Sequence, residues 1–426
     1  MFSYQRLRNA GLLALTLFFI ALGATIYPVN AQVPTTSLTV EERVNIALAQ
    51  AQVEAGATQL AAALSVQIED DELRLGTGFL QFANAVENLG QFWYQYGLRS
   101  QGPLTGIFPI LRLPVPDNPT TAPMTNAQAR QVLEQFEADI LLAEDTLAQL
   151  ADDTVKLGVN LGKAYLDFDG DGQGSDPEAL WRIYGDLNRR ALITEAQAAN
   201  FRIALDAGDV QWLRGYCHLL AAVLDFYLAH DDSLLFDHTA HLFFQNPEVP
   251  YAFLREQPSE EFFGEAFLDA IALVHLINLP LIDRDRPALA LSHLQQVTAL
   301  SRQTWDFYLQ ETDDDHEWIP NPNQTGVIPG MPVTPEMIDQ WLAFLDEVDA
   351  ILAGDRLLPF WRGTEPVGVN LPRIFTEPQT FDAVRWVQGT AATPYLETGT
   401  LTNPDFWWQL MEAFDGRFLF FALWFN

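Results

Sequence analysis

The 426-residue chain carries 56 acidic against 23 basic side chains, a formal net charge of −33. A field of that sign repels polyanions, so nucleic acid and anionic membrane surfaces are excluded as natural partners. Cys217 is the only cysteine, which excludes an intrachain disulfide scaffold, and a chain this long buries enough core to fold without one.

The first residues read as a targeting segment. Arg6 and Arg8 precede an apolar run from Leu12 to Leu22, and Val29-Asn30-Ala31 forms a small-residue site before Gln32. This order is that of a secretory signal, so residues 1–31 are expected to be removed near Ala31/Gln32. The run is short for a membrane span and no stop-transfer pattern follows. The mature chain is therefore expected to be extracytoplasmic, periplasmic or secreted, with no stable membrane insertion.

Helix signals dominate the remainder. Thr39 with Glu42, Thr125 with Gln128 and Thr194 with Gln197 are capping-box pairs that open apolar-periodic runs. Leu133, Phe136, Ile140, Ala143, Leu147 and Leu150 recur at three and four residues and share one helix face. Ile338, Trp341, Leu345, Val348 and Leu352 do the same after Thr334-Pro335, a cap with proline at the first helical position. Further helices are predicted near 40–66, 72–97, 178–188, 195–205, 208–230, 233–244, 260–279, 286–309 and 404–414. Irregular stretches fall near 102–124, 318–332 and 354–379. Gly158-Val159-Asn160-Leu161 recurs as Gly368-Val369-Asn370-Leu371, either a remote duplication with two paired strands or a chance match. The aromatic tail from Phe418 reads as a buried closing element, because a membrane barrel needs alternating segments along the whole chain. The expected organisation is a helical body over 32–320 and a C-terminal helical region, 321–426, packed on it.

One stretch carries recognisable chemistry. Asp167, Asp169 and Asp171 place carboxylates at alternate positions, and Gly172 follows where the chain must bend sharply. Gln173 offers a backbone carbonyl, Ser175 a direct or water-mediated ligand, and Glu178 at the twelfth position a bidentate carboxylate. An all-oxygen set of this kind suits calcium, a hard cation that takes six to eight such ligands. The string fits D-x-[DN]-x-[DN]-G-x5-E and resembles the loop of the EF-hand family over these twelve residues only. The flanks differ from that family. Leu157 to Leu166 contains two glycines and a Val159/Leu161 alternation, which predicts extended chain rather than a helix before the loop. Pro177 suits a first helical turn after it. A solitary strand–loop–helix site for structural Ca2+ is expected.

The histidines give a second lead. His218 and Asp225 lie seven apart on one helix face, and His238 and His241 lie three apart on another. If those helices pack together, the four could converge on a transition metal; separately they read as core residues. No G-x-S-x-G elbow, H-E-x-x-H, P-loop or dinucleotide fingerprint occurs. Trp181, Trp212, Trp305, Trp341, Trp386 and Trp407 read as core or as platforms for sugars or peptides. The sequence thus predicts a mainly α fold: a multi-helix globular body with a few short strands and a strand–loop–helix calcium loop. The expected role is binding or scaffolding. The alternative is an extracytoplasmic metal-dependent enzyme around His218, Asp225, His238 and His241.

Overall fold

Thr39 starts the first helix as its spacing predicts. Its hydroxyl accepts from the Glu42 amide and its own amide donates to the Glu42 carboxylate, which closes the capping box of α1 (Val40–Ala49). The computed structural model describes residues 38–100, 109–187, 195–198, 201–255, 265–327, 333–363, 366–414, 416, 418 and 421–422. Over these residues the chain is mainly α, with a few short strands. No helix among them is long and apolar enough to cross a membrane.

The continuous helix expected over 40–66 is broken. Ala51 takes a φ of 51° and is buried against Tyr165, and α2 (Val53–Leu64) starts afresh. Tertiary contact overrides propensity here, since the free end of α1 lets the Leu48 carbonyl accept from the Tyr165 amide at 2.9 Å. Next come α3 (Asp71–Gln95), capped by Asp70, and α4 (Asn126–Leu147), whose Thr125–Gln128 capping box forms as expected. The two short helices α5 (Leu180–Leu187) and α6 (Glu195–Ala198) follow. The long α7 (Ala207–Leu228), then α8 (Ser233–Thr239), α9 (Glu265–Leu276) and the long α10 (Arg286–Tyr308) complete the central part. The last helices are α11 (Pro335–Ala353), α12 (Leu371–Thr376), α13 (Ala383–Gln388) and α14 (Pro404–Ala413).

The core lies where α2 packs on α3, α3 on α4, α4 on α7 and α7 on α10. Phe79, Phe136, Trp305 and Tyr308 are fully buried in it. Trp212 and Trp341 are buried too, so those tryptophans are core. Phe418 and Phe421 close the structure as the tail composition predicts, packing on Trp341 at ring-centroid distances of 5.8 and 5.4 Å. The other tail residues except Ala422 lie outside the described set.

The strands are local devices. β1 (Leu157–Val159) pairs antiparallel with β2 (Ile203–Leu205), β3 (Asn278–Leu279) with β6 (Phe381–Asp382), and β5 (Val367–Val369) lies between β4 (Leu358–Pro359) and β7 (Leu396–Thr398). The helix expected over 195–205 is thus corrected: α6 is short and Ile203–Leu205 are a strand, because pairing with β1 buries all three residues. The cap at Thr194 lies outside the described residues. Both copies of the Gly-Val-Asn-Leu echo form a strand ended by Asn160 or Asn370 before a helical turn. They pair with different strands and not with each other.

One close contact ties α3 to the acidic loop. Phe168 is fully buried, and a Cβ on Gly90 would lie 2.0 Å from its ring. Helix propensity alone favours alanine over glycine by about 1 kcal/mol. Crowding against Phe168 reverses the sign, and overpacking of this kind costs about 1–3 kcal/mol. Gly90→Ala is therefore expected to lower the urea midpoint; an unchanged or raised midpoint would contradict this placement of Phe168.

Candidate metal centre

The acidic loop is fixed at both ends before any ion is considered. An isolated antiparallel bridge between Tyr165 and Ala179 brings its two flanks together. Before the loop, β1 is followed by a single helical turn over Leu161–Lys163, so the chain from Leu157 to Leu166 is extended only in part; after it a helical turn over Asp176–Glu178 leads into α5, which keeps the strand–loop–helix order. From α3, Glu87 accepts the Asp167 amide at 3.0 Å and the Gln91 amide group donates to the Asp167 carbonyl at 2.8 Å. Gly170 and Gly172 take φ values of +73° and +79°, the left-handed turns that glycine allows.

Within that frame the carboxylates of Asp167, Asp169 and Asp171 converge, with one oxygen from each inside 4.8 Å of the others. Asp167 is buried and Asp171 exposed, so the group opens from the protein towards solvent. Loop amides partly offset the charge: Asp171 donates to Asp167 and Asp169 at 3.0 and 3.1 Å, and Gly172 to Asp167 at 2.8 Å. The Gln173 amide donates to Asp171 at 2.7 Å. Burial, and then the neighbouring Asp171 and Asp167, raise the Asp169 carboxyl above its ordinary range. An oxygen-only trio of this kind fits a hard divalent cation and not a soft one.

Glu178 takes a different position from the one its spacing suggests. One carboxylate oxygen accepts from the Phe168 and Asp169 amides at 2.8 and 3.0 Å. The other accepts from the Ser175 amide at 2.9 Å and the Ser175 hydroxyl at 2.5 Å. Four donors use the four lone-pair positions of a carboxylate. Glu178 and Ser175 thus clamp the loop ends together, and Gln173 is exposed beside them. The carboxylates that converge are those of the three aspartates.

The four-residue transition-metal group does not assemble. Among the described residues, the only clusters of three His, Cys, Asp or Glu ligand atoms within 4.8 Å are acidic, and none contains His218, Asp225, His238 or His241. His238 packs on Tyr251 at 4.8 Å between ring centroids, and His241 faces Asp269 at 3.6 Å. His218 instead meets His293 of α10, Nδ1 to Nδ1 at 2.7 Å, so one ring donates and the other accepts. Burial, and then His218, hold His293 below the ordinary imidazole value. Glu144 binds Arg214 at 3.0 Å and faces His218 at 3.5 Å, while Arg286 binds Asp225 and Glu137 at 2.7 and 2.8 Å. This is a paired-charge layer across α4, α7 and α10. Its sequence signal was the seven-residue recurrence of Glu137/Glu144, His218/Asp225 and Arg286/His293, one pair per helix. Cys217 is fully buried, and burial pushes its thiol above the ordinary range, which leaves it inert.

A second acidic cluster has no local sequence signal, because Asp206 lies about a hundred residues from its other two members. Asp206, the cap of α7, meets Glu311 and Glu317 with ligand atoms inside 4.8 Å. Beside it the Tyr308 hydroxyl donates to buried Asp209 at 2.7 Å. Burial, and then Asp206, push the Glu311 carboxyl up to about 9, and Gln324 donates to it at 3.0 Å. Lys156 supplies the nearby positive charge. Glu311 therefore carries its proton at neutral pH, which relieves part of the repulsion in this cluster.

No family model matches the chain, and neither the curated proteins nor the solved structures contain a significant match to it.

The cluster has a pH signature with a definite sign. Glu311 titrates near 9 when folded against an ordinary 4.5, so its contribution is fully present below 4.5 and is lost as pH rises through 9. Glu311→Gln removes that loss. Urea melts at about pH 5 and about pH 9 should show the variant gaining on the wild type at the higher pH. A constant difference at both would show that Glu311 is not held protonated.

Proposed function

We propose that the protein is an extracytoplasmic helical binding or scaffold protein whose loop 167–178 holds one structural calcium ion. The convergence of the Asp167, Asp169 and Asp171 carboxylates supports this reading most directly. Bound there, the ion would relieve the repulsion among these groups. The loop touches α1 through Tyr165, α3 through Glu87, Gln91 and Gly90, and α5 through Ala179, so what stiffens it stiffens their junction. Among the described residues there is no second loop of this type, and only a single helical turn, Leu161–Lys163, in place of an α-helix leading into this one, which favours a brace over the helix-opening motion of calcium sensors.

Extracellular sites bind calcium at about 10⁻⁴ to 10⁻³ M. Millimolar calcium then stabilises the fold by roughly 0.4–1.4 kcal/mol, a rise in melting temperature of about 1–3 °C for a chain of this length. Asp171 is exposed, so Asp171→Asn leaves the fold intact while removing one ligand charge. Melts of both proteins in calcium and in chelator should show the rise in the wild type and most of it lost in the variant. Identical wild-type curves would show that the loop is only an acidic turn.

The basic, apolar and small residues of 1–31 support the extracytoplasmic location. Intact mass of the exported protein should place its N-terminus at or near Gln32. A retained Met1 segment would overturn that part of the reading.

A further inference from the structure

α9 is inverted for a surface helix. Of its side chains from Phe267 onward, Leu273 alone is buried. Asp269 shares that inward face and meets His241, in the turn after α8, at 3.6 Å. The opposite face carries Phe267, Leu268, Ile271 and Val274, all exposed. At 3.6 residues per turn these four fall within about 120° of one another. A surface helix normally turns such a stripe to the core and its charge to water. Here the carboxylate faces in and the stripe faces out.

Exposed apolar surface continues beside α9. Tyr251 lies against His238 of α8, which packs on α9, with ring centroids 4.8 Å apart, and Phe253 lies 6.0 Å from Tyr251. Tyr251 is 38% exposed, and Phe253 and Phe267 are each 67% exposed. At about 150–250 Å² per aromatic side chain and somewhat less per aliphatic one, the stripe and these two rings leave roughly 600 Å² open. That equals the largest apolar patches of ordinary monomers, about 300–600 Å², which are often functional.

Area, charge and shape select the occupant of this face. Two copies laid face to face would bury about 1,200 Å², the lower bound of a specific protein–protein interface. Asp269 is the only acidic residue from Phe267 to Leu276, and it is turned inward. Two chains of net charge −33 repel each other, and they do so least where this face meets its own copy. Phe267 and Val274 lie two turns apart, with Leu268 and Ile271 between them. Antiparallel α9 helices about a two-fold axis near Ile271 would set Phe267 against the partner's Val274, large against small, and Ile271 against the partner's Ile271. We infer that the protein forms a symmetric dimer through α9, with Phe267, Leu268, Ile271 and Val274 at its centre. This goes beyond the binding or scaffold role proposed above and does not rest on calcium at 167–178.

Analytical sedimentation of the full mature protein from about 1 to 100 µM tests it. The mass of two chains should appear within that range, in calcium and in chelator alike. It should persist in high salt, where screening weakens the repulsion between copies. Phe267 and Ile271 are exposed, so Phe267→Glu and Ile271→Glu should keep the wild-type melt while weakening the dimer by about a hundredfold. Val66→Glu, at an exposed apolar residue just after α2, should leave it unchanged. Cys217 is buried and inert, so Ile271→Cys supplies the one reactive thiol. Mild oxidation should link two such chains and should not link Val66→Cys chains. The inference is overturned if the wild type stays monomeric throughout, if a dimer survives both glutamate substitutions, or if the Ile271→Cys chains fail to link. A monomer that binds phosphatidylcholine vesicles through Phe267 and Ile271 would overturn it in favour of a lipid surface.

Discussion

Carboxylates brought together out of water repel one another, and each such group needs a positive partner or a proton. Among the described residues this chain gathers them in three places and meets the constraint in three ways. Across α4, α7 and α10, Glu137, Glu144 and Asp225 are matched by Arg286 and Arg214, with His218 and His293 beside them. At the cap of α7, Asp206, Glu311 and Glu317 have few cations near them, and a proton on Glu311 takes that part. At Asp167, Asp169 and Asp171, loop amides do some of the work and a divalent cation is proposed to do the rest. With so few basic residues the chain cannot pair every carboxylate with an arginine or lysine.

The third place matters most for the architecture because of what it touches. Phe168 fills the notch at Gly90, Glu87 and Gln91 hold Asp167 from both sides of its peptide unit, and Tyr165 reaches the end of α1. Glu87 is itself buried, and burial pushes its carboxyl up to about 8. A loop with these contacts is a junction between helices far apart in sequence. That is why the ion proposed for it is read as structural and not as a switch.

Local signals in the sequence survive in the structure. The capping boxes at Thr39 and Thr125, the proline start at Thr334-Pro335, the short strand ahead of the loop and the helix after it are all present. These features depend on residues within a turn or two of one another. Long-range contacts decide what differs. Ala51 breaks a helix to seat Tyr165, and Ile203–Leu205 leave a helical pattern to pair with β1. His293, 75 residues from His218, takes the place of His238 and His241. Glu178 could be read as a ligand by position, but only the fold shows four hydrogen-bond donors closing on it.

Stoichiometry separates the cluster proposed to hold a cation from the one in which Glu311 carries a proton. Calorimetric titration of the metal-free mature protein with calcium near neutral pH is the direct measurement. One ion per chain is expected, lost in Asp167→Ala and retained in Glu311→Gln. No binding at millimolar calcium, or binding that disappears in Glu311→Gln and persists in Asp167→Ala, would contradict the assignment of calcium to the aspartate loop.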